Sequence, residues 1–275
     1  MIRAAVTISL VPEAAGGPFV FWHDLPAACA SAQKLGFDAI EIFAPSPDYF
    51  TQNPVARILG DHNLKLAAVG TGAGWVKHKL TLTSADAAIR RDARDFVTAM
   101  IDVAADHSAP AIIGSMQGRA IEGVDRPTAL RYLEDELNQL GEHATTKRQP
   151  LLFEPLNRYE TNLINTLDDG SNLLERLTTR NVKLLADLFH MNIEEVNIAN
   201  AIRRAGANIG HVHFVDSNRS AAGMGHTDFA AIAIALREIG YAGYLSAEAF
   251  ARPDSETAAR MTIETFRQYF PRPAM

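Results

Sequence analysis

The stretch LLFEPLNRYET, residues 151–161, is an apolar run that ends on the carboxylate of Glu154 and continues into a polar segment. Glutamate is among the residues that are least often fully buried unless they are paired. Such a run either leaves the core for solvent or delivers a carboxylate to a functional site. The rest of the chain decides between these two interpretations, because the same pattern recurs in it.

Short apolar runs alternate with longer segments of helical spacing along the whole chain. The apolar runs predict eight strands, at residues 4–11, 39–44, 65–70, 111–115, 151–156, 183–189, 209–216 and 243–250. Helices are predicted between them, at residues 24–35, 54–62, 84–107, 127–147, 166–177, 195–205, 229–239 and 255–269. Eight βα units with near-continuous apolar strands favour an α/β fold, a single (β/α)8 TIM barrel, over an open doubly wound sheet. Since no linker or low-complexity tract interrupts the pattern, we expect one domain over residues 1–275.

Composition limits the classes of function. The chain is 47% hydrophobic and 21% charged, and its net charge of −6 comes from interleaved residues, which argues against a nucleic-acid or membrane partner. Cys29 is the single cysteine, so no internal disulfide forms and a reducing, cytoplasmic location is expected. Because Pro12 and Glu13 follow the first short apolar run, we interpret that run as a strand rather than a signal peptide.

Four successive predicted strands, the fifth to the eighth, carry a metal-competent side chain near the C-terminal end. Separations of 33, 26 and 35 residues, about one βα unit each, lie between Glu154, Asp187, His213 and Glu248. Strand side chains alternate between two faces, and the alternation is compatible with an inward direction for all four. The C-terminal ends of barrel strands are where active sites of this architecture lie.

Two Glu, one Asp and one His form the ligand set expected for a hard or borderline divalent cation such as Mn²⁺, Mg²⁺ or Co²⁺. The set lacks the thiolates of a structural zinc site. Three carboxylates packed together would repel one another without a cation. Each residue alone is typical of a strand end or a polar core, but their matching positions on consecutive strands predict a metal site.

Three further residues near these strand ends, Glu160, His190 and Arg219, are candidates for contact with a substrate. Arg219 lies on a loop with Gly223 and Gly225, which permit a tight path over a ligand. His211 is predicted to lie beneath the metal site. The predicted irregular stretches 12–23, 70–83 and 117–126 lie over the active-site face, and the sequence leaves open the roles of Glu41, Trp75, Lys77, His78, Lys79, Gln117 and Arg119.

The segments FEPLNRYET, ADLFHMNIEE, HVHFVDSNR with a following GxGH, and SAEAF together resemble the xylose-isomerase-like barrel superfamily. Within it they are most similar to the ketose 3-epimerase group, which includes D-tagatose and D-psicose 3-epimerases. The resemblance implies acid/base roles for Glu154 and Glu248. It also implies that the sugar is held by Glu160, His190 and Arg219, and that the metal ligands are Glu154, Asp187, His213 and Glu248.

We therefore expect a divalent-metal-dependent sugar epimerase or aldose–ketose isomerase that acts on a ketose or related sugar through a metal-stabilised enediolate. The expected cofactor is one divalent ion, Mn²⁺ first, with Co²⁺, Mg²⁺ or Zn²⁺ as alternatives, and the expected assembly is a homo-oligomer, a dimer or tetramer.

Other functions remain open at this point. An isomerase of a small 2-keto acid, similar to hydroxypyruvate isomerase, would need Lys77, Lys79 or Arg119 for the substrate carboxylate. A non-catalytic sugar-binding barrel would not require two opposed carboxylates. Phosphodiester cleavage of the endonuclease IV type is disfavoured, because it uses several metals and more histidine ligands than this acidic chain, with nine His, offers.

Overall fold

The structure is a computed structural model that describes residues 1–271. Eight parallel strands form its centre: β1 Arg3–Ser9, β2 Ala39–Phe43, β3 Lys65–Gly70, β4 Ala111–Ile113, β5 Leu151–Phe153, β6 Val182–Asp187, β7 Ile209–His213 and β8 Tyr244–Ala247. Each strand pairs with the next, and β1 also pairs with β8, from Arg3 opposite Tyr244 to Val6 opposite Ala247. The sheet is thus closed, which confirms the predicted (β/α)8 barrel. A two-residue strand, Phe21–Trp22, adds to the end of β1 outside the ring.

Helices surround this ring. Those within residues 1–271 are α1 Leu25–Leu35, α2 Asp48–Gln52, α3 Val55–Asp61, α4 Ala73–His78, α5 Ala87–Asp106, α6 Arg126–Thr146, α7 Leu167–Arg176, α8 Leu188–Glu194, α9 Ile198–Ala205, α10 Phe229–Glu238 and α11 Ser255–Tyr269. All eight predicted helices are confirmed to within three residues at each end. None of these helices is long and apolar enough to cross a membrane.

Several local predictions were wrong. The stretches 12–23 and 70–83 are not irregular throughout, because the first contains a 3-10 turn, Pro12–Ala14, and the strand Phe21–Trp22, and the second contains α4. Strands β5, β7 and β8 end three residues before their predicted ends, at Phe153, His213 and Ala247. The sixth strand does not reach residue 189 but ends at Asp187, and α8 begins at the next residue. The reason is a cap: Asp187 Oδ1 accepts hydrogen bonds from the backbone N–H groups of Phe189 and His190, at 2.8 and 2.9 Å, and so starts the helix.

Apolar layers fill the lower part of the barrel. The side chains of Ala68, Ile112, Leu152 and Leu185 form one buried cluster, and Tyr244 packs against another made of three alanines. Leu152 and Leu185 therefore face inward, and the residues two positions further along β5 and β6 share that face. The inward face becomes polar at the C-terminal ends of the strands.

Candidate metal centre and active site

The four predicted ligands meet at the C-terminal ends of β5 to β8. The ligand atoms of Glu154, Asp187, His213 and Glu248 all lie within 4.8 Å of one another. His213 Nδ1 is their common neighbour, 3.0 Å from Asp187 Oδ2 and 3.4 Å from both Glu154 Oε1 and Glu248 Oε2. The structure thus brings together side chains that are separated by up to 94 residues in the sequence.

Local backbone features set the positions of the Glu154 and Asp187 carboxylates. The backbone N–H of Glu154 donates to the carbonyl oxygen of Ile113 at 2.9 Å, which extends the pairing of β5 with β4 by one residue. Gly114 comes directly after the end of β4. A larger residue there would collide with the carboxylate of Glu154, because a Cβ on Gly114 would lie 2.5 Å from Glu154 Oε2. The Oδ1 atom of Asp187 caps α8, so Oδ2 is the oxygen left for the cluster.

The electrostatics of the cluster favour a cation. Burial raises the pKa of Glu154 to about 8, and the carboxylates of Glu248 and Asp187 add to this rise. Its Oε1 atom is buried and accepts no hydrogen bond within residues 1–271. Burial opposes a charge on His213, yet Glu248 and Glu41 hold its pKa well above the usual value. A divalent cation would supply the positive charge and fill the vacant coordination of Glu154, so the donor set fits a metal ion.

Glu41, whose role the sequence left open, orients the histidine of this cluster. It is buried on β2, where its Oε1 lies 3.1 Å from His213 Nε2 and its Oε2 lies 2.8 Å from His211 Nε2. With a cation bound at the cluster, a hydrogen bond from His213 Nε2–H to Glu41 would leave Nδ1 unprotonated and able to act as a ligand. This is the carboxylate–histidine arrangement that fixes metal-ligating imidazoles in proteins. The predicted location of His211 beneath the cluster agrees with this geometry.

Arg219 reaches the cluster from the loop after β7. Its Nη1 lies 3.0 Å from Asp187 Oδ2, and its Nη2 contacts the Glu248 carboxylate. Burial lowers the pKa of the Arg219 guanidinium, but the carboxylates of Asp187 and Glu248 raise it by more, so the pKa lies above its usual value. In turn, Arg219 holds the pKa of Asp187 well below its usual range, although burial acts in the opposite direction. Arg219 has a φ of 61°, a left-handed conformation that is uncommon for a side chain of this size.

Asp216 stabilises the turn that carries Arg219. Its carboxylate accepts backbone hydrogen bonds from Ser217 and Gly223, at 2.8 Å each, and from Thr227 at 3.0 Å. The chain must pass close to this carboxylate, since a Cβ on Gly225 would lie 2.3 Å from Asp216 Oδ1. Gly225 therefore permits a close approach to Asp216, whereas the tight path over a ligand that the sequence indicated stays a prediction.

His190 and Glu160 are linked through Asn157, a residue that the sequence did not single out. Asn157 Nδ2 lies 2.7 Å from His190 Nδ1 and donates to Glu160 Oε1 at 2.9 Å. Burial lowers the pKa of His190, so its imidazole is neutral at pH 7. Nδ1 accepts from Asn157, whereas Nε2 lies 3.3 Å from Arg219 Nη1 and 3.8 Å from Glu154 Oε1. His190 therefore presents Nε2 to the site, beside the Arg219 guanidinium.

A cavity of about 450 Å³ opens above the cluster and is large enough for a small organic ligand. Its walls contain every predicted catalytic and substrate residue, together with the loop at residues 13–19 and the ends of β2 to β4. Gln117, left open by the sequence, donates its amide N–H to the carbonyl oxygens of Glu154 and Gly114, at 2.9 and 3.2 Å, and so supports the strand ends. Trp75 and Arg119 line a neighbouring cavity, whereas Lys77, His78 and Lys79 line neither.

Comparisons with known proteins agree with this architecture. Residues 29–269 match a family model described as xylose isomerase-like TIM barrel. The chain is 32% identical to the D-psicose 3-epimerase of Agrobacterium fabrum over 80% of this chain and 77% of that protein. It is 35% identical to the 3-dehydro-D-guloside 4-epimerase of Escherichia coli over 47% of this chain and 49% of that protein.

A solved structure, the D-allulose 3-epimerase from Methylomonas sp., superposes with a TM-score of 0.81 at 25% identity, over 98% of each chain. The family match extends from α1 to α11 and so includes all four strands that carry the cluster. The chain belongs to the xylose isomerase-like TIM barrel family.

Proposed function

We propose that this chain is a metal-dependent sugar epimerase that inverts a carbinol carbon next to the carbonyl group of a ketose or related keto sugar. The observation that carries the proposal is the position of Glu154 and Glu248, two carboxylates from different strands that each lie 3.4 Å from His213 Nδ1. Relatives over about four fifths of the chain are named D-psicose 3-epimerase and L-ribulose 3-epimerase, so the chain is an enzyme that acts on sugars rather than a non-catalytic barrel.

The residues assigned to the metal are Glu154, Asp187, His213 and Glu248. Three carboxylates and one imidazole suit Mn²⁺, Co²⁺ or Mg²⁺, and Mn²⁺ remains our first prediction. A bound divalent ion acts as a Lewis acid that stabilises negative charge developing on a carbonyl oxygen. A homo-oligomeric assembly and a cytoplasmic location also remain predictions.

We assign proton transfer to Glu154 and Glu248. One carboxylate removes the proton from the carbon next to the carbonyl, and the other returns a proton to the opposite face, which inverts that carbon. The burial that raises the pKa of Glu154 to about 8 favours exchange of a proton near neutral pH, although a cation beside it would oppose the rise. The return of the proton to the neighbouring carbon would instead give aldose–ketose isomerisation.

The other polar residues position the substrate. His190 Nε2 and the guanidinium of Arg219 face the cavity, where they can form hydrogen bonds with sugar hydroxyl groups. The carboxylate of Glu160, with half of its side chain exposed, can accept one from a sugar hydroxyl. These groups approach from helix α8 and from the segments after β5 and β7, which fixes the orientation of the reacting carbons relative to Glu154 and Glu248.

The geometry favours a sugar over a small 2-keto acid. A substrate carboxylate needs an available cationic side chain, and Arg219 is the one Lys or Arg among the described residues that line the main cavity. Its guanidinium already contacts Asp187 and Glu248. Lys77 and Lys79 lie outside the lining, and Arg119 belongs to the neighbouring cavity.

The proposal is tested by incubating purified protein with D-psicose or D-fructose and following their interconversion by NMR. Parallel samples contain Mn²⁺, Co²⁺ or Mg²⁺, or a chelator. We expect interconversion that the chelator abolishes and that added metal restores. Turnover that persists without any divalent ion would contradict the metal assignment, and the absence of turnover with ketoses and keto glycosides alike would contradict the reaction.

A further inference from the structure

A second cavity, of about 360 Å³, lies beside the main one. The two cavities share Ser115, Leu156 and Glu160 in their linings. The remaining walls of the second cavity come from α4 and from the segments that follow β3 and β4. Since the main cavity alone has the volume of a small-ligand site, the second is additional space next to the reacting centre.

The second cavity combines an aromatic surface with hydroxyl groups. The side chain of Trp75 is 40% exposed, and its ring centroid lies 4.9 Å from the Lys79 ammonium. Thr81 and Thr83 line the same cavity, as does Ile121, which is 58% exposed. Large exposed apolar side chains beside polar groups mark ligand-binding surfaces. A pyranose or phenyl ring suits this lining, because its C–H or π faces pack on indole while hydroxyl groups find hydrogen-bond partners.

Arg119 adds donors that have no partner among residues 1–271. Its side chain is exposed and lines the second cavity, and it forms no hydrogen bond, ion pair or cation–π contact with any residue of 1–271. Arg219 differs, because its guanidinium is held by Asp187 and Glu248. The five N–H donors of Arg119 are thus available to oxygen atoms of a bound group.

We propose that the second cavity is a subsite for a ring attached to the reacting sugar, so that the substrate class includes keto glycosides, in which a second sugar or an aryl ring is linked to an α-hydroxy ketone sugar. The inference rests on the proposed function for the reacting ring. The shared wall at Ser115, Leu156 and Glu160 is the place where a glycosidic bond would cross from one cavity to the other.

The test compares substrates that differ only in the attached group. The 3-keto derivatives of methyl and phenyl glucoside, in both anomers, and the 3-keto derivative of a disaccharide are assayed with the metal-loaded enzyme. Wild-type protein should show a kcat/KM for a ring-bearing substrate at least about tenfold above that for the methyl glycoside, the effect of one well-packed contact. Preference for phenyl alone would identify an aryl ring, and preference for the disaccharide would identify a second sugar.

Trp75→Ala should reduce that preference about tenfold, which corresponds to roughly 1.4 kcal/mol. Tyr159→Ala is the matched control, because Tyr159 is an aromatic residue that is 75% exposed and lines neither cavity. It should retain the wild-type preference. Equal rates for methyl and ring-bearing substrates in wild type, or an equal loss on both in Trp75→Ala, would overturn the subsite.

A binding measurement separates this inference from the proposed function. Phenyl glucoside, which has no keto group and cannot be epimerised, should change the intrinsic tryptophan fluorescence of wild-type protein. Trp22 is the second tryptophan of the chain and lines neither cavity, so the change should be lost in Trp75→Ala. Binding without turnover of any keto sugar would contradict the epimerase and support the subsite. Turnover of D-psicose without such binding or preference would support the epimerase and contradict the subsite.

Discussion

The two halves of the barrel rim differ in how they build the site. The ends of β5 to β8 supply the four clustered side chains and, with the loops that follow them, the residues proposed to hold the sugar. The ends of β1 to β4 contribute Glu41, which orients a histidine. The other residues of this half form cavity walls: the loop at residues 13–19, Phe43 and Gly72 line the main cavity, and Trp75 and Arg119 line the second.

This difference suggests that the second half of the rim performs the reaction and the first half selects the substrate. A reaction at the carbon next to a ketone needs a few charged groups at fixed positions, and strand ends provide these because their side-chain direction is fixed by the sheet. Recognition of the rest of the substrate needs a shaped surface, which loops and short helices provide. Substitutions in the second half should therefore remove turnover, and substitutions in the first half should change which substrate is used.

The largest expected effect is at the acid/base pair. Glu154→Gln or Glu248→Gln should lower kcat by about 10³-fold or more, because an amide cannot exchange the proton and general acid–base catalysis contributes about 10² to 10⁴. Circular dichroism should show a retained fold. Glu256→Gln is the control, since Glu256 lies on α11 in an exposed ion pair with Lys34. Activity similar to wild type in either site variant would exclude that residue from proton transfer.

Glu41→Gln tests whether the two halves of the barrel rim have separate roles, because Glu41 lies on β2, in the first half, but contacts His213 of the metal cluster. The amide no longer fixes the proton of His213 on Nε2, so the affinity for Mn²⁺ should fall about 10- to 100-fold. Competition with a fluorescent chelator measures this affinity. Glu13→Gln is a matched control, because Glu13 lines the same cavity without a hydrogen bond to the four clustered residues. An unchanged metal affinity in Glu41→Gln would show that the histidine is oriented by other means.

Gly225→Ala tests the loop that presents Arg219. The added methyl group would lie 2.3 Å from Asp216 Oδ1, so the free energy of unfolding should fall by about 1 to 3 kcal/mol through overpacking. Gly60→Ala provides the comparison, since it lies in α3 with no atom within 4 Å of its Cβ, and it should be neutral or stabilising by up to about 1 kcal/mol. Urea denaturation measures both variants. Equal stability of the two would mean that the loop does not depend on this close approach.

The smallest effect should come from Arg158, in the segment that follows Glu154. Its guanidinium pairs with Glu194 at 2.9 Å and is 60% exposed. Arg158→Ala should leave kcat within about twofold and lower the free energy of unfolding by about 1 kcal/mol, because the arginine end of the pair is in solvent and Glu194, only 7% exposed, keeps the hydrogen bond from the backbone N–H of residue 158. A large loss of kcat would instead place Arg158 in the site.

The sequence predicted the barrel and the meeting of four side chains because both depend on strict periodicities, the βα alternation and the two-residue repeat of strands. It could not assign Glu41, whose partner His211 is 170 residues away and whose position would equally suit a substrate contact. Asn157 was missed for a similar reason, since its role exists only through His190, 33 residues later. Helices α4 and α8 are six and seven residues long, and packing and capping define them more than local propensity.

The central claim is that the clustered carboxylates exchange a proton at the carbon next to a sugar carbonyl. Epimerisation of D-fructose or D-psicose in D₂O with bound Mn²⁺, followed by NMR, tests it most directly. We expect one deuterium at C3 of each product molecule, and no exchange at C3 in Glu154→Gln or Glu248→Gln. Inverted product that retains its original C3 hydrogen would contradict proton abstraction by these two residues.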